Sequence, residues 1–275
     1  MNGIIGFRKR HLKWNPKNLQ SRSFLILMKM RKITKAITIG ILLCLFSLPG
    51  LGQVEWGIRG GMNLNNIRQD FKDGIEAETQ MLFSYHAGVV MNYEFNDAWS
   101  LQPSLLYVRK GFSIDLEETL EDFLGNFGEV KSVEGYDRVI FNYLEMPVNF
   151  AYRFRNFQVY AGPYIATGIG GTSKWDYSFE FDGEKTKDKD KMKIKPSLKK
   201  IDYDEMELDE DVFYAIDFGV NLGVGYNFRK LTIATGYSNG FGNLIPEVKG
   251  ASDFRKDNKE FNRNVNLSLT YFFGK

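Results

Sequence analysis

His86 and Ser84 lie two residues apart in a stretch of alternating polar and apolar residues, so both side chains would share one face of a strand. A serine beside a histidine is the minimal apparatus of nucleophilic catalysis, because an imidazole titrating near neutrality can take the hydroxyl proton. The spacing alone is common by chance, and no Gly-x-Ser-x-Gly elbow accompanies it. His86 therefore reads as a hydrogen-bonded packing residue, and the chain is not expected to be an enzyme. Metal chemistry has even less support. No His/Cys cluster occurs, and Asp202, Asp204, Glu205 and Glu207 lack the spaced pattern and the Gly of a calcium loop, which leaves only loose, unspecific binding. No cofactor is expected.

Six charged residues carry more physics. Arg59, Glu94, Lys110, Glu145, Arg153 and Asp217 each fall on the polar face of an alternating stretch. Should those faces line the inside of a small barrel, whose lumen is filled by side chains, the charges must be paired there. The expectation is one ion-pair network that plugs the lumen, a core and not a proton or ion path.

The elements that must position these residues show period-two alternation. The clearest is the last, where Val265, Leu267, Leu269, Tyr271 and Phe273 oppose Asn264, Asn266, Ser268 and Thr270. Comparable stretches cover 54–64, 82–95, 99–110, 139–154, 157–170, 212–228 and 231–241, eight in all. Three connections are tight, at Asn96-Asp97, Arg155-Asn156 and Arg229-Lys230, and four are long, at about 65–81, 111–138, 171–211 and 242–262. Aromatic residues crowd the tight turns: Tyr93, Phe95 and Trp99; Tyr152, Phe154 and Phe157; Tyr226 and Phe228; Tyr271 and Phe273. Short turns at one end, long loops at the other and an aromatic girdle are the habit of an outer-membrane barrel. The fold expected is all-β, an eight-stranded antiparallel up-and-down transmembrane β-barrel with short periplasmic turns and long extracellular loops. A soluble lipocalin-like barrel would keep the apolar face inside. Here that face is nearly unbroken and aromatic, while the other is rich in Gly and Asn, which suits a crowded interior.

Composition needs dividing before it can be used. The 275 residues hold 36 Lys plus Arg against 34 Asp plus Glu, a net charge of +2, with one Cys and two His. Residues 1–52 contain ten of the basic residues and no acid. Lys29 to Lys35 is a basic segment, Ala36 to Leu48 an apolar run, and Gly50 and Gly52 the small residues before a cut, which together make a secretory signal. The run is too short to be a membrane anchor, which needs about 20 residues. Residues 1–29 read as an extension ahead of the true start, at Met28 or Met30, residues 30–52 as the signal peptide, and 53–275 as the barrel domain. Cys44 follows Leu43 inside the apolar run, so it reads as filler and not as a lipidation site. The exported chain keeps 26 basic and 34 acidic residues, a charge of −8, and no cysteine. A disulfide framework is excluded, and the absence of a basic surplus argues against nucleic acid.

Two loops carry patterns of their own. Leu116, Leu120, Phe123, Leu124 and Phe127 fit a helical stripe within 113–127. In the 182–211 insert, Lys185 to Lys200 has eight Lys and two Asp, and Ile201 to Asp211 has seven acids and no base. The two blocks could pair as a hairpin, but a solvated, mobile loop is the favoured reading. Trp175, Tyr177, Phe179 and Phe181 alternate up to the insert, so the strand before it is expected to project beyond the membrane.

The chain resembles the PorT-like, or "porin family", small outer-membrane barrels. The marks are Gly57-Ile58-Arg59-Gly60-Gly61-Met62-Asn63, Leu101-Gln102-Pro103 with Tyr107 and Lys110-Gly111, and Tyr143-Leu144-Glu145-Met146-Pro147. Tyr160-Ala161-Gly162-Pro163, Asp217-Phe218-Gly219 with Gly223-Val224-Gly225, and Tyr237 with Gly240-Phe241 follow in order, so the resemblance spans 54–273. It implies an eight-stranded barrel in the outer membrane of a Gram-negative bacterium, without implying one activity. A few members are linked to protein export and gliding machinery. The function expected is a structural or interaction role in a monomer with a plugged lumen. A narrow porin or transporter is the alternative, and a barrel enzyme of lipase, acyltransferase or protease type comes third. Its partners would be outer-membrane lipid, periplasmic chaperones and the barrel-assembly machinery during insertion, and a protein partner at the extracellular loops.

Overall fold

Alternation of apolar and polar residues becomes strand throughout, because only a pleated backbone sends successive side chains to opposite faces. The computed structural model describes residues 54–72, 78–115, 130–181, 184–202, 210–250 and 253–273, all within one compact unit, Gln53–Lys275. The leader read in 1–52, the helical stripe over 116–127, and Asp204, Glu205 and Glu207 lie outside the described residues.

The strands are β1 (Val54–Phe71), β2 (Thr79–Gln80), β3 (Leu82–Glu94), β4 (Trp99–Asp115), β5 (Val130–Phe154), β6 (Phe157–Phe181), β7 (Glu184–Ser197), β8 (Glu210–Tyr214), β9 (Ile216–Phe228), β10 (Leu231–Gly240) and β11 (Asn258–Phe272), with one short helix, α1 (Phe254–Asp257), before β11. Antiparallel pairings run from β1 to β3, β4, β5 and β6, then to β9, β10 and β11. β11 returns to β1 in a register that matches Gly57 with Phe272 and Phe71 with Asn258. The hydrogen-bond ladder therefore comes back to its own starting strand.

Two of the tight turns hold Arg155 and Arg229 in the left-handed region, with φ of 55° and 52°, the conformation hairpin reversals demand of one residue. In the third, the Asn96 Oδ1 accepts from the backbone N–H of Ala98 and Trp99, both at 2.9 Å. Aromatic pairs stand beside these turns: Trp99 with Tyr152 at 4.9 Å, Phe157 with Tyr226 at 5.1 Å, Tyr93 with Phe95 at 5.2 Å and Tyr271 with Phe273 at 5.7 Å.

At the other end the structure departs from the sequence reading. β1, β4, β5, β6 and β11 all run past the alternating stretches, so much of each long connection is strand. Beyond the apolar band both faces meet water, so the alternation fades while the backbone ladder continues. Residues 113–115, counted above with a helical stripe, are the end of β4. The Lys-rich block is not a mobile loop, and the part of the acidic block described beside it, Glu210 and Asp211, pairs with it in parallel and not as an antiparallel hairpin. The Lys-rich block is β7, paired antiparallel with β6 from Gly171↔Ile194 to Phe181↔Glu184, and β8 joins it in parallel. The strand is favoured because Lys alternates with Thr186, Asp188, Asp190, Met192 and Ile194, which gives β7 two different faces. The 212–228 stretch also breaks at Ala215, where β8 ends and β9 begins.

The inward face at this end is apolar. Ile67, Phe112, Phe141, Tyr143, Tyr164, Ala166, Ile194, Phe213 and Leu244 form one buried cluster, with Phe141 and Phe213 rings 4.7 Å apart.

Candidate functional site

Below that cluster the lumen is polar, and its centre is Lys110. Glu145, Ala166 and Asp217 stand opposite one another across β5, β6 and β9. Ala166 is small, so both flanking carboxylates can turn toward the same point. Lys110 reaches that point from β4, with its Nζ 2.7 Å from Glu145 Oε2 and 2.9 Å from Asp217 Oδ2. The Asp217 Oδ2 also accepts from Asn262 Nδ2 at 3.0 Å and from the Tyr164 hydroxyl at 3.3 Å. The ammonium lies 4.3 Å from the centre of the Tyr164 ring. Lys110 is 1 % exposed and Asp217 0 %, so the cluster is sealed from solvent. Burial on this scale is tolerable only because each charge has a partner, and because Asp217 also accepts from Asn262 and Tyr164.

The six charges do not form one network. Glu94 and Arg153 make a separate pair at 3.0 Å, near the tight-turn end, where Glu94 faces Ser100 across β3 and β4. Arg59 joins neither group. Its Nε donates to Thr270 Oγ1 at 2.9 Å, the residue directly opposite it on β11. Parity puts all six on the inner face, but strand register spreads them along the axis beyond each other's reach. Electrostatic balance survives the separation. The Lys110 cluster carries one excess negative charge, and Arg59 lines the same central cavity as Glu145.

His86 bonds to Ser268, not Ser84. Its Nδ1 lies 2.9 Å from Asn63 Oδ1 and its Nε2 3.1 Å from Ser268 Oγ. Asn63 places its amide nitrogen toward Ser84 Oγ and the Arg109 carbonyl, so its oxygen faces the imidazole. That oxygen can only accept, which puts the proton on Nδ1 and leaves Nε2 an acceptor facing the Ser268 hydroxyl, which also has Asn266 Oδ1 within reach at 3.3 Å. This is the tautomer a general base requires. Ser84 is engaged elsewhere, donating to the Arg109 carbonyl at 2.6 Å. The cavity beside His86 and Ser268 has a volume of about 40 Å³. At roughly 10–15 Å³ per water it holds about three.

Wider spaces open at the two ends. A vestibule of about 440 Å³ at the tight turns is lined by Glu55, Glu94, Arg153, Arg155, Arg229 and Lys230 among others. Another of about 750 Å³ at the far end is lined by Lys200, Asn243, Glu247, Arg255, Lys256 and Phe261 among others. Among the described residues no group of three or more His, Cys, Asp or Glu is placed to hold a metal ion.

Tyr143, Tyr160, Tyr164 and Asn262 also fill the lumen and are not among the lumen residues expected from the sequence. Their signal was parity. Tyr143 is in phase with Glu145, and Tyr160 and Tyr164 are in phase with Gln158. Tyr160 is accommodated because Gly223 and Gly236 face it; a Cβ on either would collide with its hydroxyl.

The outer surface completes the picture. Trp56, Phe83, Phe150, Phe157, Leu222 and Leu267 are each more than half exposed, while Asn63, Asn92, Gln102 and Asn149 are buried. A soluble core has the opposite arrangement, and an apolar coat around a polar interior is the arrangement of a strand-built membrane protein. The model of the outer membrane protein beta-barrel domain family matches residues 45–246. The chain belongs to that family. Its place is therefore the outer membrane of a Gram-negative cell, and strands cross that membrane. No helix among the described residues is long and apolar enough to do so.

Solved structures of similar fold include Ail, the attachment invasion locus protein of Yersinia pestis, at 12 % identity and a TM-score of 0.35, covering 80 % of this chain and 99 % of that one. Neisserial surface protein A is similar at 10 % identity and a TM-score of 0.35, covering 78 % and 96 %. A FadL homologue from Pseudomonas aeruginosa is similar at 10 % and 0.25, covering 80 % and 90 %. With scores this low, these likenesses carry no weight beside the family match. Among curated proteins none matches the chain.

Proposed function

We propose that this family member is a plugged eight-stranded up-and-down barrel of the PorT-like kind, a monomer with a structural or interaction role. The tight turns face the periplasm, and the projecting strands and loops form the working surface outside. The observation that carries the reading is the lumen. Lys110, Glu145 and Asp217 meet at its centre under an aromatic layer, and the cavity between them and His86 is about 40 Å³. Such a lumen passes no solute and turns over no substrate. The motif order from Gly57 to Phe241 supports the PorT-like kinship. Planar-bilayer recording of the purified protein tests the plug. The expected result is no steady conductance above the bare bilayer; a reproducible open level would make the protein a narrow channel instead.

A further inference from the structure

Just above the apolar band, the outward face of β5, β6 and β7 is basic. Arg138, Lys174 and Lys191 stand directly opposite one another across the three strands, and all are exposed. At about 4.8 Å per strand, three cations lie within roughly 10 Å. Like charges placed directly opposite destabilise a sheet, yet none of the three forms an ion pair with another described residue. The Arg138 guanidinium instead lies 4.0 Å over the Tyr136 ring. The described acids near it on this face sit farther from the band and are already engaged, Asp176 with Lys189 at 2.6 Å and Glu134 with Lys185 at 3.7 Å. The direction of the lysines is fixed by Ile194, which is buried in the inner cluster, so Lys191 and Lys193 on the opposite parity point outward.

The position of the row matters as much as its charge. One rung nearer the membrane, Ile140, Thr172 and Lys193 stand in line, and below them Ile165 and Ile169 are half exposed. A rung is two residues, roughly 5 Å along the membrane normal at a tilt of about 40°. The row therefore sits level with the polar layer that flanks the hydrocarbon core.

We infer that Arg138, Lys174 and Lys191 form a docking site for the phosphate groups of an outer-leaflet glycolipid whose acyl chains lie along Ile165 and Ile169. An amphiphile fits because the basic row and the apolar strip are continuous. A free polyanion would use only the first. Lys193, at the apolar edge, extends upward to the same phosphates while its stem stays in lipid. The inference rests on the long-connection end facing outward, as proposed above.

The test uses the full chain in phosphatidylcholine nanodiscs doped with bisphosphorylated lipid A, with retained lipid counted by native mass spectrometry. Wild type should retain lipid A in preference to lipid A stripped of its phosphates. The R138Q/K174Q/K191Q variant should lose that preference by on the order of 100-fold, which is roughly 1 kcal/mol for each of three surface cations converted at about 1.4 kcal/mol per tenfold. R138K/K174R/K191R should keep it, as should K199Q/K230Q, and their retention also reports folding. Equal retention by wild type and the triple Gln variant would overturn the site. Equal competition by inorganic phosphate or a sulfated polysaccharide would overturn the choice of a lipid. Labelling of intact cells with a membrane-impermeant amine reagent separates the two readings. An unlabelled Lys189 would overturn the outward orientation, whereas a labelled protein without lipid preference would refute the site alone.

Discussion

Replacing Lys110 with Met tests the plug most directly. The change keeps most of the side chain's volume and removes the only cation, among the described residues, within reach of Glu145 Oε2 and Asp217 Oδ2, now 2.7 and 2.9 Å from it. Two carboxylates would remain in a site that is 5 % and 0 % exposed. Breaking a buried ion pair by deleting one partner costs about 3–5 kcal/mol, because the survivor stays buried without compensation. The Tyr164 and Asn262 hydrogen bonds to Asp217 soften that cost without neutralising the charge. Stability would be read by urea unfolding in lipid vesicles from tryptophan fluorescence, since Trp56 and Trp99 stand half exposed on the outer face. K110M/E145Q/D217N removes all three charges at similar volume, and should return stability to within about 2 kcal/mol of wild type. The reasoning fails if K110M costs less than about 1 kcal/mol, or if the triple variant is no more stable than the single.

Other consequences are equally open to measurement. Gly236→Ala places a Cβ against the Tyr160 hydroxyl; overpacking should cost about 1–3 kcal/mol in the same assay, and Y160A should relieve it. A fluorophosphonate probe should leave Ser268 unmodified despite its 3.1 Å contact with His86 Nε2, because the cavity admits only water; a labelled serine lost in S268A would reveal an esterase. Burial raises the Asp137 pKa above its ordinary value, although the Ser173 hydroxyl opposes this by donating at 2.8 Å. A carboxyl raised in the folded state favours folding below its unfolded pKa and loses that contribution as pH rises through the folded value. Asp137→Asn should therefore gain stability relative to wild type on going from pH 3 to pH 7, and a flat difference would exclude the effect.

The faces of the barrel were legible in the sequence and the heights were not. Parity alone put Lys110, Glu145 and Asp217 on the inner side, and it did the same for Arg59, Glu94 and Arg153. Whether two inner residues meet depends on register, which is set by pairings such as Lys110↔Phe141 and Arg59↔Thr270. No local pattern encodes those. The tight turns were legible because Asn96, Arg155-Asn156 and Arg229-Lys230 interrupt otherwise continuous alternation. β7 was not, since its lysines suggested solvation and its partner is the aromatic end of β6, contributed by residues just before the insert. Tyr143 and Tyr164 were hidden by the habit of assigning aromatics to lipid. Their place beside a buried ammonium uses both the ring face and the hydroxyl, which a lipid-facing site would waste.

β6 changes neighbours partway along its length. Up to Thr167 it pairs with β9, and from Gly171 it pairs with β7, the exchange falling on Gly168 and Gly170. The ring that crosses the membrane and the crown above it therefore have different circumferences and share only the continuing backbones of β6 and its companions. A crown attached in this way can be lengthened, shortened or exchanged at the glycine boundary without altering any pairing that closes the ring. The chain thus carries its outer surface as a graft on the ring, and the stretch between Gly170 and Ala215 is the natural place to insert a foreign strand pair.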